Sequence, residues 1–137
     1  MIMVDTGLWL DFINGIDSKK VKTLTKLIAD EKEISFNSII MMELLQGCKN
    51  EKEVIRVKTI LKDFYCYVIS HNAIIQANEI YRACKKGRGN NLTGQTVSPL
   101  DCIIASNCIE NNVELLHRDK HFDFISKITG TLKIYSV

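Results

Sequence analysis

The stretch MIMVDTGLWLDF, residues 1–12, holds the first strand and the first candidate site residue of the chain. Residues 1–4 are an apolar run of strand length that ends at an acid, Asp5, followed by a turn-compatible Thr-Gly pair. A helical pattern then covers residues 8–13. A carboxylate at the tip of a buried strand either caps the next helix or joins acids from elsewhere in the chain.

Length and composition predict a single domain over residues 1–137. The chain is 46% apolar and 25% charged, as is usual for a soluble globular protein. Its N-terminal apolar run is too short for a signal peptide, and no stretch approaches the roughly 18 apolar residues of a membrane span. The five cysteines are an odd number without a C-x-x-C pair, which indicates reduced thiols. We therefore expect a cytoplasmic protein.

Strand and helix patterns alternate along the chain. Strands are predicted at 1–4, 34–36, 64–69, 113–117 and 132–135. Helices are predicted at 8–13, 18–30, 38–47, 51–62, 72–84, 98–110 and 120–125, with one clear loop, GRGNNLTGQTV, at 87–97. Strands separated by helices, with no hairpin signal, predict an α/β sandwich around a parallel sheet.

Three acids are predicted to meet at one edge of that sheet. Ligands of open parallel sheets bind beyond the carboxyl ends of the strands. Asp5 follows the first strand, Asp119 follows the strand VELLH, and Asp101 opens a helix whose start faces the same edge. Each also has a structural alternative, since Asp5 and Asp119 could cap helices and Asp101 could complete a capping box with Ser98.

A structural alternative is harder to find for Glu43. It lies in IIMMELL, a helix that is apolar on nearly every side, and no basic residue stands three or four positions away. Burying a charge without a partner is costly, so a bound cation is the expected partner.

Several neighbouring carboxylates require a cation, because two of them about 5 Å apart repel by roughly 3 kcal/mol at an effective dielectric near 20. Carboxylate oxygens without clustered His or Cys indicate Mg²⁺ or Mn²⁺ rather than zinc. Such an ion activates water and neutralises charge on a phosphodiester. Basic residues near the predicted loop are candidate RNA contacts, although solvated helix faces also explain them: Arg82, Lys85, Lys86 and Arg88.

The motifs that carry these acids resemble those of PIN-domain proteins, specifically the VapC-type ribonuclease toxins of prokaryotic toxin–antitoxin pairs. The resemblance runs nearly end to end and rests on four motifs in order. These are VDTGLWL with Asp5, SIIMMELLQG with Glu43 and Gly47, SPLDCIIAS with Asp101, and LLHRDKHFD with Asp119. Asp123 is a second candidate in the last motif. Gly7 replaces a Ser found in many relatives, a hydroxyl that Thr6 or Ser98 could supply.

The resemblance implies a three-layer α/β/α sandwich with a mainly parallel sheet of four to five strands. It further implies an Mg²⁺-dependent endoribonuclease, with Mn²⁺ as a possible substitute, in which Asp5, Glu43, Asp101 and Asp119 are the catalytic metal ligands. An RNA substrate, a small antitoxin protein and a homodimer are the implied partners.

Other functions fit the sequence less well. A haloacid-dehalogenase phosphatase requires a second acid where Gly7 stands, and the glycine motif of a nucleotide-binding fold is missing. The remaining alternative is a non-catalytic PIN-like module that binds RNA or a partner. A phosphate-binding surface gains nothing from clustered negative charge, so the four acids argue against it.

Overall fold

The computed structural model describes residues 1–89 and 97–137, with side chains described for all of these except 87–89. The strands are β1 (Ile2–Val4), β2 (Ile34–Asn37), β3 (Tyr65–Tyr67) and β4 (Glu114–Leu116). The helices are α1 (Thr6–Ile13), α2 (Lys19–Ala29), α3 (Ser38–Gln46), α4 (Glu51–Leu61), α5 (His71–Gly89), α6 (Pro99–Asn111) and α7 (Lys120–Thr129).

The four strands form one parallel sheet in the order β3-β2-β1-β4. The chain moves outward from β1 to β3 and then returns to place β4 on the other side of β1. With right-handed crossovers, α1–α4 cover one face and α5 and α6 cover the other. Contacts agree, because α1 packs on α2 and α3, whereas α5 packs on α6 and α7. The predicted three-layer sandwich is confirmed, and its switch point lies between the carboxyl ends of β1 and β4.

The centre of the core is β1, whose three residues are all buried. A strand that is buried on both faces has a continuous apolar sequence, and residues 1–4 show this pattern. Trp9 of α1 is fully buried beside it and packs against the ring of Phe64 with centroids 5.1 Å apart.

Helix starts follow local sequence signals. The Ser18 hydroxyl accepts from the Val21 backbone N–H, and the Asn37 side chain accepts from that of Ile40. Ser98 forms the predicted capping box at the start of α6. These predicted caps are confirmed. Local sequence could identify them because each depends on residues only three apart in the chain.

The strand predictions at 64–69 and 132–135 differ most from the structure. The strand predicted at 64–69 is reduced to Tyr65–Tyr67. The strand predicted at 132–135 was wrong, since this segment makes one isolated parallel bridge, Leu115 with Ile134. Only Leu115 exchanges backbone hydrogen bonds with it, which is too few for a ladder.

Helix α5 is longer than predicted and runs to Gly89 rather than stopping near residue 84. It overlaps the start of the loop predicted at 87–97, so that boundary was wrong, while residues 90–96 lie outside the described part. A helical glycine costs only about 1 kcal/mol, and α5 is supported by packing along α6. No helix in the described ranges is long and apolar enough to cross a membrane.

Candidate active site

Asp5 is fixed at the switch point by its backbone. Its N–H donates to the carbonyl of Leu116 at the end of β4 (3.0 Å), and its own carbonyl accepts from Trp9 in α1 (3.0 Å). Asp5 is the N-cap residue of α1, yet its side chain makes no capping hydrogen bond. The Asp5 carboxylate is thus not engaged in a capping hydrogen bond and is available to the site, although the nearby backbone N–H groups of Thr6 and Gly7 still favour its ionised form.

The Asp5 carboxyl is held where ionisation is unfavourable. Only 6% of the residue is exposed, and burial raises the carboxyl pKa from 3.8 to about 7. The backbone N–H groups of Thr6 and Gly7 oppose this rise, while the negative charges of Asp101 and Glu43 add to it. The charges of Asp101 and Glu43 act on Asp5 in the same direction as its burial, so the ionised carboxyl is disfavoured by both.

Glu43 reaches the same region from α3, where it is half-buried. Its Oε1 accepts a hydrogen bond of 2.6 Å from the Thr6 hydroxyl. The sequence analysis named Thr6 or Ser98 as the source of a hydroxyl here, and the Thr6 hydroxyl contacts Glu43. A second bond, from the Asn37 side chain to that of Asn107 (3.0 Å), ties the start of α3 to α6 and so fixes the helix that carries Glu43.

Asp101 and Asp119 both cap helices, as the structural alternative predicted. Asp101 completes the box with Ser98, and Asp119 Oδ1 accepts from the His121 backbone N–H at 2.9 Å. Capping does not exclude a second role for either acid. Burial raises the pKa of Asp101, the Ser98 hydroxyl lowers it, and the negative charge of Asp119 raises it again. The two carboxylates therefore lie close to each other.

His121, near the start of α7, is a site residue that the sequence analysis missed. Its Nδ1 lies 3.3 Å from Asp119 Oδ1 and 3.6 Å from Asp101 Oδ2. One potential ligand atom from each of the three residues falls within 4.8 Å of the others. The premise that no histidine clusters with the acids was wrong. In the sequence, the only indication of this role was the position of His121 two residues after Asp119. Its contact with Asp101 depends on how α6 and α7 pack.

His117 supports Asp119 from the core side and was also missed. The ring is 2% exposed, and its Nδ1 accepts the backbone N–H of Asp119 at 3.0 Å. Because Nδ1 accepts this bond, the ring proton is on Nε2, which lies 3.2 Å from Asp123 Oδ1. Burial lowers the pKa of His117. The side chain of Asp123 is 64% exposed and pairs with His117. It is not part of the three-residue group around His121.

Gly7 makes room for a basic side chain at the rim. Arg118 Nε donates to the Gly7 carbonyl (3.1 Å) and lies 2.6 Å from Asp11 Oδ2. A Cβ at position 7 would stand 3.1 Å from the guanidinium carbon of Arg118. A side chain at position 7 would therefore require the half-exposed Arg118 side chain to shift by a few tenths of an ångström.

The predicted RNA contacts lie on the C-terminal part of α5. Arg82 pairs with Glu79 at 3.7 Å, and Lys85 Nζ stands 5.6 Å from the centre of the Tyr81 ring. Lys86 is exposed, whereas the side chain of Arg88 lies outside the described part. The RNA-binding role of all four basic residues stays a prediction.

The donor set fits a divalent cation. Carboxylate oxygens and one imidazole nitrogen converge where negative charge raises carboxyl pKa values, and a cation would offset that charge. Which of the acids hold an ion stays a prediction.

The chain is similar in sequence to a known domain family and to several known proteins. The family model described as "PIN domain" matches residues 2–128. The chain is 26% identical over 133 residues to VapC ribonuclease Mb1587 of Mycobacterium bovis and to ribonuclease VapC11 of Mycobacterium tuberculosis, covering 95% of each chain.

Solved structures share the fold at lower identity. DNA-bound VapBC from Salmonella typhimurium is similar with a TM-score of 0.75 and 20% identity over 98% of this chain and 96% of that one. VapBC2 from Rickettsia felis, bound to a promoter DNA fragment, is similar with a TM-score of 0.71 and 20% identity over 98% of both chains.

Proposed function

The chain belongs to the PIN domain family, and on that premise we propose that it is a metal-dependent endoribonuclease, the toxin of a toxin–antitoxin pair. The observation that carries the proposal is the convergence of acids at the switch point, where burial and neighbouring charges raise the pKa of Asp5 to about 7. Relatives named as VapC ribonucleases support the activity. Residues 1–137 then act as one nuclease domain.

In this proposal a divalent ion, Mg²⁺ with Mn²⁺ as a possible substitute, is held by four carboxylates, those of Asp5, Glu43, Asp101 and Asp119. When bound, the ion lowers the pKa of a water that attacks the phosphodiester and offsets the charge that develops there. The residues around the acids orient them. Thr6 holds Glu43 through its hydroxyl, and His117 holds the backbone of Asp119.

The first prediction tests this activity directly. Labelled RNA incubated with the full chain should be cut in Mg²⁺ or Mn²⁺ and left intact in EDTA, because the water nucleophile depends on the ion. Asp5→Asn should remove cleavage. Asp17→Asn is the matched control, since Asp17 is an exposed acid that pairs with Lys22 at 3.3 Å. Equal cleavage with and without the metals would contradict the proposal, and so would an active Asp5→Asn protein.

We propose that RNA reaches the acids across the C-terminal part of α5. Helices α5 and α6 run antiparallel, because Ser106 donates to Ala73 near the start of α5, whereas the Cys84 side chain, further along α5, contacts that of Cys102 near the start of α6. Lys85 and Lys86 therefore stand at the end of the helix pair from which Asp101 projects. Positive charge beside an acidic site would neutralise the phosphates that flank the scissile bond.

The second prediction concerns these lysines. Replacing Lys85 and Lys86 with Ala should flatten the dependence of RNA affinity on salt by about one to two counterions, because fewer phosphates are neutralised. Binding is measured with an uncleavable RNA between about 50 and 300 mM salt, where the logarithm of the affinity falls linearly with the logarithm of the salt concentration. Lys127→Ala, at the end of α7, is the control. An unchanged slope would leave the two lysines as solvated helix charges, and metal affinity should not change in any of these variants.

The partners proposed from the same relatives are an RNA substrate, a small antitoxin protein and a second copy of the chain. Several similar structures are described as toxin–antitoxin or VapBC complexes, which supports the protein partner. We propose a cytoplasmic location, where RNA and such a partner meet.

A further inference from the structure

An imidazole stands among the acids of the candidate active site. Of the three histidines in the sequence, His121 alone lies in the described three-residue group with Asp101 and Asp119. The ring is about one-third exposed, with 30% of the side chain accessible. It is therefore open to an ion that enters from solvent.

The position of this ring is built into the start of α7. Asp119 is the N-cap residue, and its Oδ1 accepts the backbone N–H of His121 at 2.9 Å. This bond fixes the backbone of His121 relative to the Asp119 carboxylate. His117 in turn fixes the backbone of Asp119. The distance between the ring and the carboxylate is thus set by the helix start rather than by a freely rotating side chain alone.

The separations suit joint coordination. An ion with bonds of about 2.1 Å brings neighbouring ligand atoms to roughly 3.0–3.4 Å from each other in octahedral or tetrahedral geometry. His121 Nδ1 is 3.3 Å from Asp119 Oδ1 and 3.6 Å from Asp101 Oδ2. All three atoms lie within 4.8 Å of one another, and binding one ion together would draw in the pairs that stand further apart than 3.4 Å.

We infer that His121 is a ligand of the divalent ion in this chain and that its nitrogen makes the site prefer Mn²⁺ or a later transition ion over Mg²⁺. The inference rests on the proposed function and names its metal more closely. Mg²⁺ favours oxygen donors and retains its waters, whereas affinity for sites that contain nitrogen rises from Mn²⁺ towards Co²⁺ and Zn²⁺. An ion pair between a protonated His121 and the acids is the competing explanation of the same distances.

Two measurements on the full chain test the inference. In the protein loaded with one equivalent of Mn²⁺, pulsed electron paramagnetic resonance should detect coupling to an imidazole nitrogen. His121→Gln should abolish that coupling, and His71→Gln, at the start of α5, should retain it. His117 is not a competing source, since its Nδ1 accepts the Asp119 N–H and its Nε2 pairs with Asp123.

Calorimetry gives the second readout. His121→Gln should weaken Mn²⁺ binding about tenfold while changing Mg²⁺ binding less than about twofold, because only the nitrogen donor is lost. Mn²⁺ bound without nitrogen coupling, or equal loss of both ions in His121→Gln, would overturn the inference and leave the nuclease proposal intact. A wild-type protein that binds neither ion would overturn both.

Discussion

Asp5→Asn is expected to make the metal-free protein more stable than the wild type at pH 8 while removing RNA cleavage. The wild-type carboxyl has a pKa of about 7 in the folded protein against 3.8 as the ordinary value, and burial is the main cause. Between these values the folded state holds a proton that the unfolded state has released. Stability therefore falls as pH rises from about 4 to 7, and the shift corresponds to about 4 kcal/mol.

An asparagine at position 5 cannot ionise, so Asp5→Asn should lose most of this pH dependence. The measurement is urea unfolding in EDTA at pH 5 and at pH 8, for the wild type, Asp5→Asn and the surface control Asp17→Asn. In the wild type, Mn²⁺ at 100 times its dissociation constant should restore about 2.7 kcal/mol at pH 8. At that same Mn²⁺ concentration, the free energy of unfolding of Asp5→Asn should rise much less. A mutant no more stable than wild type at pH 8 would refute the idea that an ionised Asp5 strains the metal-free fold.

The helix caps and the strand-end acids could be predicted from the sequence for different reasons. Capping residues such as Ser98 and Asn37 act on backbone groups three residues away, so local sequence identified them correctly. The acids were located by a topological rule, that strand ends in a parallel sheet share an edge. The rule needs only the order of strands and helices, which hydrophobic patterns supply.

What the sequence could not predict depends on tertiary packing. The approach of His121 to Asp101 requires the starts of α6 and α7 to meet, and the two residues are far apart in the chain. The support of Asp119 by His117 depends on a ring turned back into the core. Glycines near residue 87 suggested a loop, but α5 extends to Gly89, since a glycine costs a helix only about 1 kcal/mol.

Asp101 is where capping and metal binding make opposite predictions. The structure gives it both environments, since its backbone N–H donates to the Ser98 hydroxyl (3.1 Å) and its Oδ2 lies 3.6 Å from His121 Nδ1. Its reciprocal capping bond to the Ser98 N–H is long, at 3.5 Å. Asp101→Asn keeps the backbone half of the box, so the expected loss of capping energy is below about 1 kcal/mol.

Removing the charge also relieves repulsion from Asp119 and Asp5, which contributes to the raised pKa values of both Asp101 and Asp5. We therefore expect metal-free Asp101→Asn to be as stable as wild type or more stable, while cleavage falls roughly 100-fold or more because a metal ligand is lost.

Ser98→Ala is the matched control because it breaks the cap and keeps the Asp101 carboxyl. It should cost about 1 kcal/mol of stability and leave Mn²⁺ affinity near that of wild type. Thermal unfolding in EDTA and RNA cleavage in Mg²⁺ are measured on the same preparations. An Asp101→Asn protein that loses stability yet cuts at near wild-type rate would behave as Ser98→Ala does, and Asp101 would then be a helix cap with no part in catalysis. Loss of cleavage at undiminished stability would instead show that the carboxylate serves the reaction, since a cap alone cannot separate these two properties.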